Sequence, residues 1–264
     1  MIPRDYITSW RPQAPWVQDI QVEQDLVICR ALAELFSNPL LAQSLAFRGG
    51  TALYKLYIKP AARYSEDIDL VQMRAEPAGP VMQALRDVLD PWLGQPRWKQ
   101  TEGRITFVYR FSSEDTPPIG MRLKVETNTR EHFAVHGFKH VPFEVSSRWF
   151  EGKCLIPTYE LDELLATKMR ALYQRKKSRD LFDLATALEH TDVDPGRIVE
   201  TFLAYMKHGG HHVTRALYEQ NIQNKLTDPQ FNADISPLLA NEYAWNIAAA
   251  AQQVTEALIQ RVPE

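Results

Sequence analysis

Two aspartates one position apart, Asp67 and Asp69, are the side chains of this sequence whose type and spacing most clearly suit chemistry. The residues Ile68, Leu70 and Val71 are apolar and predict a strand, in which side chains two positions apart share a face. Two carboxylates on one face of a buried strand are costly unless a cation neutralises them. Because Mg²⁺ takes carboxylate oxygens together with substrate phosphates, and Mn²⁺ accepts similar ligands, the pair predicts a site for Mg²⁺ or Mn²⁺.

A glycine turn, Gly49-Gly50-Thr51, precedes this strand. Glycines let the backbone approach a ligand closely, and the N–H groups at the start of a helix attract anions. The turn is therefore expected to bind phosphate, and metal-binding carboxylates beside it predict a site for a nucleoside triphosphate. Each feature alone has an ordinary explanation, since Gly-Gly is common in turns and Asp-x-Asp is common on solvated strands and in turns. Their combination favours the catalytic interpretation.

The hydrophobic pattern predicts the elements that must hold these groups in place. In chain order they are an extended N-terminal arm on the surface over residues 1–16, a helix over 17–36, a strand over 45–48, a helix over 51–57, a helix over 81–93, a helix over 195–208 and a final helix over 241–259. The strand over 45–48 would lead directly into the glycine turn.

Alternating apolar residues over 105–111 and 121–125 predict a β-hairpin. On its second strand, Lys124 and Glu126 fall on the face opposite to the apolar one. From the pattern alone, Glu126 would be an ordinary cross-strand partner of a lysine. The family resemblance described below offers a second role.

A long amphipathic helix is predicted to begin after Pro157, with Thr158 as its N-cap. Lys168 falls within its apolar stripe, four residues after Leu164 and four before Leu172. Its ammonium group either extends to solvent along its aliphatic stem or, if the stripe faces a cleft, neutralises a triphosphate. The sequence pattern alone does not choose between the two.

Residues 168–179 contain six basic side chains and no acidic one, although the whole chain has a formal net charge of −3. Basic runs are usually solvated faces. This run, however, leads directly into a further helix, for which Ser178 is the predicted cap. Its consecutive cations Arg175, Lys176 and Lys177 would suit the phosphate backbone of an RNA, should the acceptor be one.

Two motifs make the chain similar to the AbiEii/AbiGii-type toxin nucleotidyltransferases, a branch of the polymerase-β-like nucleotidyltransferase superfamily. The first is the turn GGT at 49–51 followed by SEDIDL at 65–70. The second is Arg-x-x-x-Arg-Asp-x-x-Asp, which extends from Arg175 to Asp183. The resemblance implies an α+β fold, with a polymerase-β-like core over residues 1–155 whose small mixed sheet is flanked by helices, and an all-helical lobe over 156–264.

The resemblance also implies roles for individual residues. Glu126 would come from the strand beside the Asp-x-Asp strand and complete the metal site with Asp67 and Asp69, or act as general base. Ser65 would join Gly49, Gly50 and Thr51 in binding the nucleotide, and Lys168 and Arg179 would offset charge on the triphosphate. Asp183 would either orient Lys168 or contact the ribose.

The activity implied by the resemblance is a magnesium-dependent transfer of a nucleoside monophosphate from a nucleoside triphosphate to an acceptor hydroxyl. The implied acceptor is the 3′ end of a tRNA, and the implied context is a toxin–antitoxin or phage-defence pair with a cognate antitoxin protein. Transfer to a protein or a small molecule is an alternative. A catalytically silent nucleotide- or RNA-binding protein of the same fold is another.

Composition narrows the cellular setting. The two cysteines, Cys29 and Cys154, are far apart in the sequence and predict free thiols in a reducing compartment. No stretch has the length and apolar character of a membrane span or a signal peptide. The expectation is therefore a cytoplasmic protein with no membrane partner.

Overall fold

The computed structural model describes residues 2–240 and 243–264, so that the predicted start of the final helix at Asn241 lies outside the described residues. The chain divides into two compact units, one ending at Tyr159 and the other beginning at Glu160. The predicted division after residue 155 instead falls within a strand of the first unit, Glu151–Tyr159.

The first unit combines helices with strands. In chain order its described elements are α1 (Arg4–Trp10), α2 (Asp19–Ser37), α3 (Pro39–Ser44), β1 (Leu45–Arg48), α4 (Gly49–Ala52), a π-helical segment (Leu53–Tyr57), β2 (Asp67–Gln72), α5 (Gly79–Leu93), β3 (Arg97–Thr101), β4 (Arg104–Ser112), β5 (Gly120–Asn128), β6 (Phe138–Ser146) and β7 (Glu151–Tyr159).

The strands form one seven-stranded mixed sheet in the order β3-β4-β5-β2-β1-β7-β6. β2 is parallel to β5 and antiparallel to β1, whereas β1 is parallel to β7. The prediction of an α+β fold with a mixed sheet is confirmed. The β4–β5 hairpin also forms as predicted, with Phe107 paired to Val125. β3, β6 and β7 were not predicted, because β3 is exposed throughout and β6 alternates weakly.

One face of the sheet is buried against helices. Side chains of β4 and β5 that point to this face, such as Phe107, Tyr109 and Leu123, are almost completely buried. α5 packs against β4, and α2 packs against β5 and β7. The side chains that alternate with them in β4 and β5 are partly or fully exposed, so that the opposite face of these strands is open.

The predicted extended arm over residues 1–16 is wrong, because the chain forms α1 there and buries Ile7 and Trp10. The indole N–H groups of Trp10 and Trp16 both donate to the buried carboxylate of Asp25, at 2.9 and 3.2 Å. The prolines that suggested an extended chain precede and follow the helix without interrupting it. Burying the two indoles against one acceptor therefore fixes this segment on the core.

Thr158 is not the N-cap of a helix, as predicted. It lies in β7, pairs with Phe47 of β1 and donates its hydroxyl proton to the Phe47 carbonyl at 2.7 Å. The following helix begins at Leu161, with Glu160 at the N-cap position. Sheet pairing across more than a hundred residues therefore overrides the local capping preference of threonine.

All regular elements in the described part of the second unit are helical. They are α6 (Leu161–Gln174), α7 (Ser178–His190), α8 (Pro195–His208), α9 (Arg215–Leu226), α10 (Pro229–Ala233), a 3₁₀ turn (Ser236–Leu238), α11 (Ile247–Ala257) and a second 3₁₀ turn (Ile259–Arg261). The predicted helix over 195–208 is confirmed. Ser178 is a buried residue of the first turn of α7, not its cap, because Lys177 occupies the N-cap position.

Helix α6 is the centre of the second unit. It packs against α7, α8 and α9. Tyr205 of α8 donates to the buried carboxylate of Glu163 at 2.7 Å, and Tyr218 of α9 donates to the carbonyl of Met169 at 2.7 Å. These side-chain hydrogen bonds attach the neighbouring helices to α6 within the apolar core.

Both cysteines are free, as predicted. Cys29 is buried, and burial raises the pKa of its thiol to about 12. Cys154 is partly exposed. Among residues 2–240 and 243–264, no helix has both the length and the apolar character that crossing a membrane requires.

Candidate active site

The register of β2 against β5 brings the predicted carboxylates together. Asp67 is opposite Lys124, and Asp69 is opposite Glu126. Their alternation with the buried residues Ile68 and Val125 places all four side chains on the open face of the sheet. Glu126, predicted from a distant segment of the chain, therefore lies on the strand beside the Asp-x-Asp strand.

Lys124 lies between the acidic groups. Its ammonium group is 2.8 Å from Asp67 Oδ2 and 3.6 Å from Glu126 Oε2. Arg104 Nε is 3.3 Å from the other oxygen, Glu126 Oε1. Glu126 thus pairs with a lysine of its own strand, not with a lysine across the sheet, and it lies opposite Asp69 of β2. Its role in a metal site stays a prediction.

The electrostatics of the cluster favour an additional cation. Burial raises the pKa of Asp69, and the charge of Asp67 raises it further, whereas the guanidinium of Arg48 acts in the opposite direction. Burial lowers the pKa of Lys124, but its hydrogen bond to Asp67 and the nearby carboxylate charges outweigh this effect and raise it. A bound cation would favour the charged form of the Asp69 carboxylate, whose ionisation burial disfavours.

The donor atoms of the aspartates suit a hard metal ion. Within the described residues, no three Asp, Glu, His or Cys side chains are arranged closely enough to hold a metal. The ammonium of Lys124 stands between Asp67 and Glu126, 2.8 Å from the one and 3.6 Å from the other. Two carboxylates on one face fit the oxygen preference of Mg²⁺, and binding there would require Lys124 to move.

The glycine turn lies directly against Asp69. β1 ends at Arg48, and Gly49 follows with a φ of 84°, a backbone conformation that residues other than glycine rarely adopt. A Cβ atom at Gly49 would also collide with the Asp69 carboxylate. The absence of a side chain at this position is therefore what lets the turn and the carboxylate meet.

Gly50 is adjacent to a buried arginine that sequence reasoning missed. A Cβ atom at Gly50 would collide with the Arg63 guanidinium, and it would be 3.2 Å from Ser65 Oγ. Arg63 is 3 % exposed and donates to the carbonyl of Tyr64 at 3.0 Å. Its place two residues before Ser65 was the available signal, but a single arginine in a loop is not distinctive by itself.

Hydroxyl groups join the turn to the beginning of β2. Thr51 Oγ1 donates to the carbonyl of Asp67 at 2.5 Å and is 2.8 Å from Ser65 Oγ. With its proton used on the carbonyl, Thr51 accepts from Ser65. The predicted helix start at Thr51 is wrong, since α4 begins at Gly49 and continues into the π-helical segment. The buried hydroxyl of Thr51 therefore holds the turn in place.

A second buried group that the sequence did not indicate supports the helix after the turn. Lys55, in the π-helical segment, donates to Asp25 of α2 at 2.5 Å. Burial lowers the pKa of Lys55, but the charge of Asp25 outweighs this and raises it. Asp25 also accepts from Trp10 and Trp16, so that one carboxylate links α1, α2 and the segment that follows the glycine turn.

In the second unit, the motif residues form a buried ion network. The ammonium of Lys168 is 2.8 Å from Asp183 and 3.5 Å from Asp180. Arg175 donates twice to Asp180, at 2.7 and 2.9 Å. Of the two possibilities left open for Lys168, extension to solvent does not occur, because its side chain is 6 % exposed and both carboxylates are fully buried. Of the two roles predicted for Asp183, the structure contains the contact with Lys168.

The remaining cations of the basic run differ in their pairing. Lys176 is 3.1 Å from Asp228, and Lys177 is 2.8 Å from Asp234. Arg179 is half-buried and forms no hydrogen bond or ion pair with the residues that the structure describes. The predicted RNA contacts of this run stay predictions.

Comparisons with known proteins agree with this architecture. Residues 30–253 match the family described as "Nucleotidyl transferase AbiEii toxin, Type IV TA system". The chain is similar to MenT4, the nucleotidyltransferase toxin Rv2826c of Mycobacterium tuberculosis H37Rv, with a TM-score of 0.58 and 14% identity over 100% of both chains. It is also similar to JHP933 of Helicobacter pylori, with a TM-score of 0.58 and 15% identity over 92% of this chain and 91% of that one.

A nucleotidyltransferase from H. pylori, described as putative, is similar as well, with a TM-score of 0.58 and 16% identity over 92% of this chain and 95% of that one. At these identities the structural likeness shows the fold alone. A comparison with curated proteins gives no match.

Proposed function

The chain belongs to the AbiEii nucleotidyltransferase toxin family, and on that premise we propose that it transfers a nucleoside monophosphate from a nucleoside triphosphate to the 3′-hydroxyl of a transfer RNA. Family membership makes the protein a nucleotidyltransferase toxin with a nucleotide substrate and an antitoxin partner. The observation that carries the proposal is the contact of the Asp69 carboxylate with Gly49, beside Asp67 on the same strand face.

Asp67 and Asp69 would hold Mg²⁺, with Glu126 joining them once the Lys124 ammonium has moved away. Bound there, Mg²⁺ would neutralise phosphate charge and help to activate the acceptor hydroxyl. The requirement for this metal is part of the proposal.

The reaction needs little covalent help from the protein. The acceptor oxygen bonds to the α-phosphorus, the bond from that phosphorus to the β-phosphate oxygen breaks, and pyrophosphate leaves. In its alternative role as general base, Glu126 would accept the proton of the acceptor hydroxyl instead of holding the metal. Because such transfers depend mainly on positioning and charge neutralisation, the chain's task is to fix the triphosphate and the acceptor in line.

The glycine turn would fix the triphosphate. With no side chains at Gly49 and Gly50, its backbone offers close approach to phosphate oxygens. Arg63 would add positive charge beside Gly50, and Ser65 would position Thr51 through the hydroxyl pair. The contacts that the resemblance implies for Lys168 and Arg179 with the triphosphate stay predictions.

The test is to incubate the purified protein with Mg²⁺, total tRNA and each nucleoside triphosphate in turn, labelled at the α-phosphate. We expect label on RNA, which is lost with a metal chelator and with Asp69→Ala, while Asp5→Ala, an exposed aspartate of α1, retains it. Circular dichroism of both variants checks that they are folded. Label that appears only on protein or on a small molecule would assign the acceptor to that class instead, and no label would contradict the proposal.

A further inference from the structure

Two rows of paired residues cross the sheet from the aspartates to the edge strand β3. One row is Asp69, Glu126, Thr106 and Lys99, and the other is Asp67, Lys124, Val108 and Arg97. Residues in register on neighbouring strands point to the same face. The open face that carries the aspartates therefore continues without a break over β5 and β4 to the edge of the sheet.

This face is strongly basic. We use the term basic face for the cationic side chains on this open face of the sheet, which are Arg97, Lys99, Arg104, Arg110, Arg122 and Lys124. Arg122 and Arg110 are paired across β5 and β4, one step along the strands from Lys124 and Val108. All of these side chains are exposed except Lys124, which is partly exposed.

The acidic partners lie only at the end of the face nearest to the aspartates. Arg104 pairs with Glu126 at 3.3 Å, and Arg122 is 3.8 Å from Glu66. In the described part of the chain, Arg97, Lys99 and Arg110 form no ion pair. The positive charge farthest from the aspartates is thus uncompensated, in a chain whose formal net charge is −3.

We propose that the basic face binds the phosphate backbone of the acceptor RNA and guides its 3′ end to Asp67 and Asp69. This inference rests on the proposed function and assigns the acceptor contact to β3–β5. From β2 to β3 there are three strand spacings, or about 14 Å, which is the length of roughly four stacked nucleotides. The last phosphates of an acceptor would therefore lie over the cations while its terminal hydroxyl is at the carboxylates.

The composition of the face favours a polyanion over a protein partner. Apart from Glu126, the residues between the cations are Thr106 and Val108, and neither has an aromatic or large apolar side chain. The centres of protein interfaces are depleted in charged residues and enriched in aromatic ones, whereas phosphate backbones are bound mainly by arginine and lysine. The cations of the run at Lys176 and Lys177, by contrast, are already paired with carboxylates.

The first test measures binding and needs no catalysis. Arg97→Gln/Lys99→Gln removes two uncompensated cations, and Arg74→Gln/Arg148→Gln removes two exposed cations elsewhere in the same unit. The probe is a labelled single-stranded RNA of about twelve nucleotides, titrated over a range of salt concentrations. We expect the first variant to bind roughly 25-fold more weakly at about 0.1 M salt, with a salt slope smaller by about 1.4, and the control to bind like the wild type.

The second test uses turnover with the nucleotide that the wild type accepts. For the long RNA acceptor, Arg97→Gln/Lys99→Gln should raise KM without changing kcat or the KM for the nucleotide. With a dinucleotide acceptor, which is too short to reach β3, the variant and the wild type should have the same KM.

Several outcomes would overturn the inference. One is that Arg97→Gln/Lys99→Gln binds RNA as tightly as the control variant does. Another is that its KM remains raised with the dinucleotide acceptor. Polyglutamate serves as a probe for an acidic protein partner. If Arg97→Gln/Lys99→Gln lost binding to polyglutamate while its RNA binding stayed unchanged, the face would bind an acidic protein instead. If the wild type labels no RNA, the proposed function fails, and the binding measurement still decides whether the face holds RNA.

Discussion

The carboxylate of Asp69 occupies the space that a side chain at Gly49 would need. This contact joins the end of β1 to the beginning of β2, and it brings the turn proposed to bind phosphate to the acid proposed to bind metal. Because Gly49 has a φ of 84°, two separate constraints exclude a side chain there.

Gly49→Ala tests that contact. We expect activity to fall by about 100-fold, because a displaced carboxylate misplaces the reacting groups, and stability to fall by more than the roughly 1–2 kcal/mol of backbone strain, because the Cβ atom also collides with Asp69. Initial rates and urea unfolding are the measurements. The matched control is Gly94→Ala, at a φ of 79° with open space around the Cβ position, which should lose only the stability that strain costs and retain activity. Equal activity in both variants would show that the contact with Asp69 is unimportant.

Lys124→Gln tests whether the ammonium competes with a metal ion. Removing it leaves the partly exposed Asp67 and Glu126 without their shared cation, so that Mg²⁺ should bind about 2- to 5-fold more tightly, the equivalent of one modest ion pair. The Mg²⁺ dependence of the melting temperature measures this. Arg122→Gln, on the same strand and 3.8 Å from Glu66, is the control. An unchanged Mg²⁺ dependence in Lys124→Gln would argue against competition.

The buried pair of Asp25 and Lys55 should matter for stability. Asp25→Asn leaves the Lys55 ammonium buried without its counter-charge, and the expected loss is about 3–5 kcal/mol in urea unfolding. The control Glu144→Gln breaks an exposed ion pair with Lys153 and should cost less than about 1 kcal/mol. If Asp25→Asn lost as little stability as the control does, the buried pair would not be needed for stability.

Stability should decrease as the pH rises through neutrality because of Glu23. Burial raises the pKa of Glu23 from 4.5 to about 7, and the charge of Asp115 contributes. A raised pKa in the folded state gives stability that is complete below pH 4.5 and lost as the pH rises through about 7. Glu23→Gln should therefore be more stable than the wild type above pH 7, on the order of 1–3 kcal/mol, and similar to it in acid. Melting curves on both sides of this window test the sign, and parallel pH profiles of the two proteins would refute it.

Substitutions of Lys168 and Arg179 should differ in whether they affect stability or activity. Lys168→Met leaves Asp180 and Asp183 without the Lys168 ammonium in the core and should destabilise the protein by about 3–5 kcal/mol. Arg179→Gln, which breaks no hydrogen bond or ion pair among the described residues, should change stability by less than about 0.5 kcal/mol. Because Arg179 is predicted to contact the triphosphate, we expect the rate of nucleotide transfer by this variant to fall at least about 10-fold. Full activity in a folded Arg179→Gln would remove this residue from the site.

Local patterns predicted the elements whose signals are contained within a few neighbouring residues. The alternation around Phe107 and Val125 identified the β4–β5 hairpin, because a hairpin needs only adjacent strands and a short loop. Capping at Thr158 and Ser178 was predicted wrongly, because the backbone around Thr158 is held by β1 and Lys177 takes the cap position of α7. Exposed edge strands such as β3 lack the apolar alternation that identifies a strand.

The sequence by itself determined that Asp67 and Asp69 share a strand face and that a glycine turn precedes them, because both follow from backbone periodicity and the conformational freedom of glycine. Only the tertiary structure decided that Lys124 stands between Asp67 and Glu126, that Asp25 holds Lys55, and that Lys168 is buried. The contacts of Lys124 with Asp67, of Asp25 with Lys55 and of Lys168 with Asp183 join groups on different secondary-structure elements, whereas Lys124 and Glu126 share β5. Strand register and helix packing set their positions, and no local spacing encodes either.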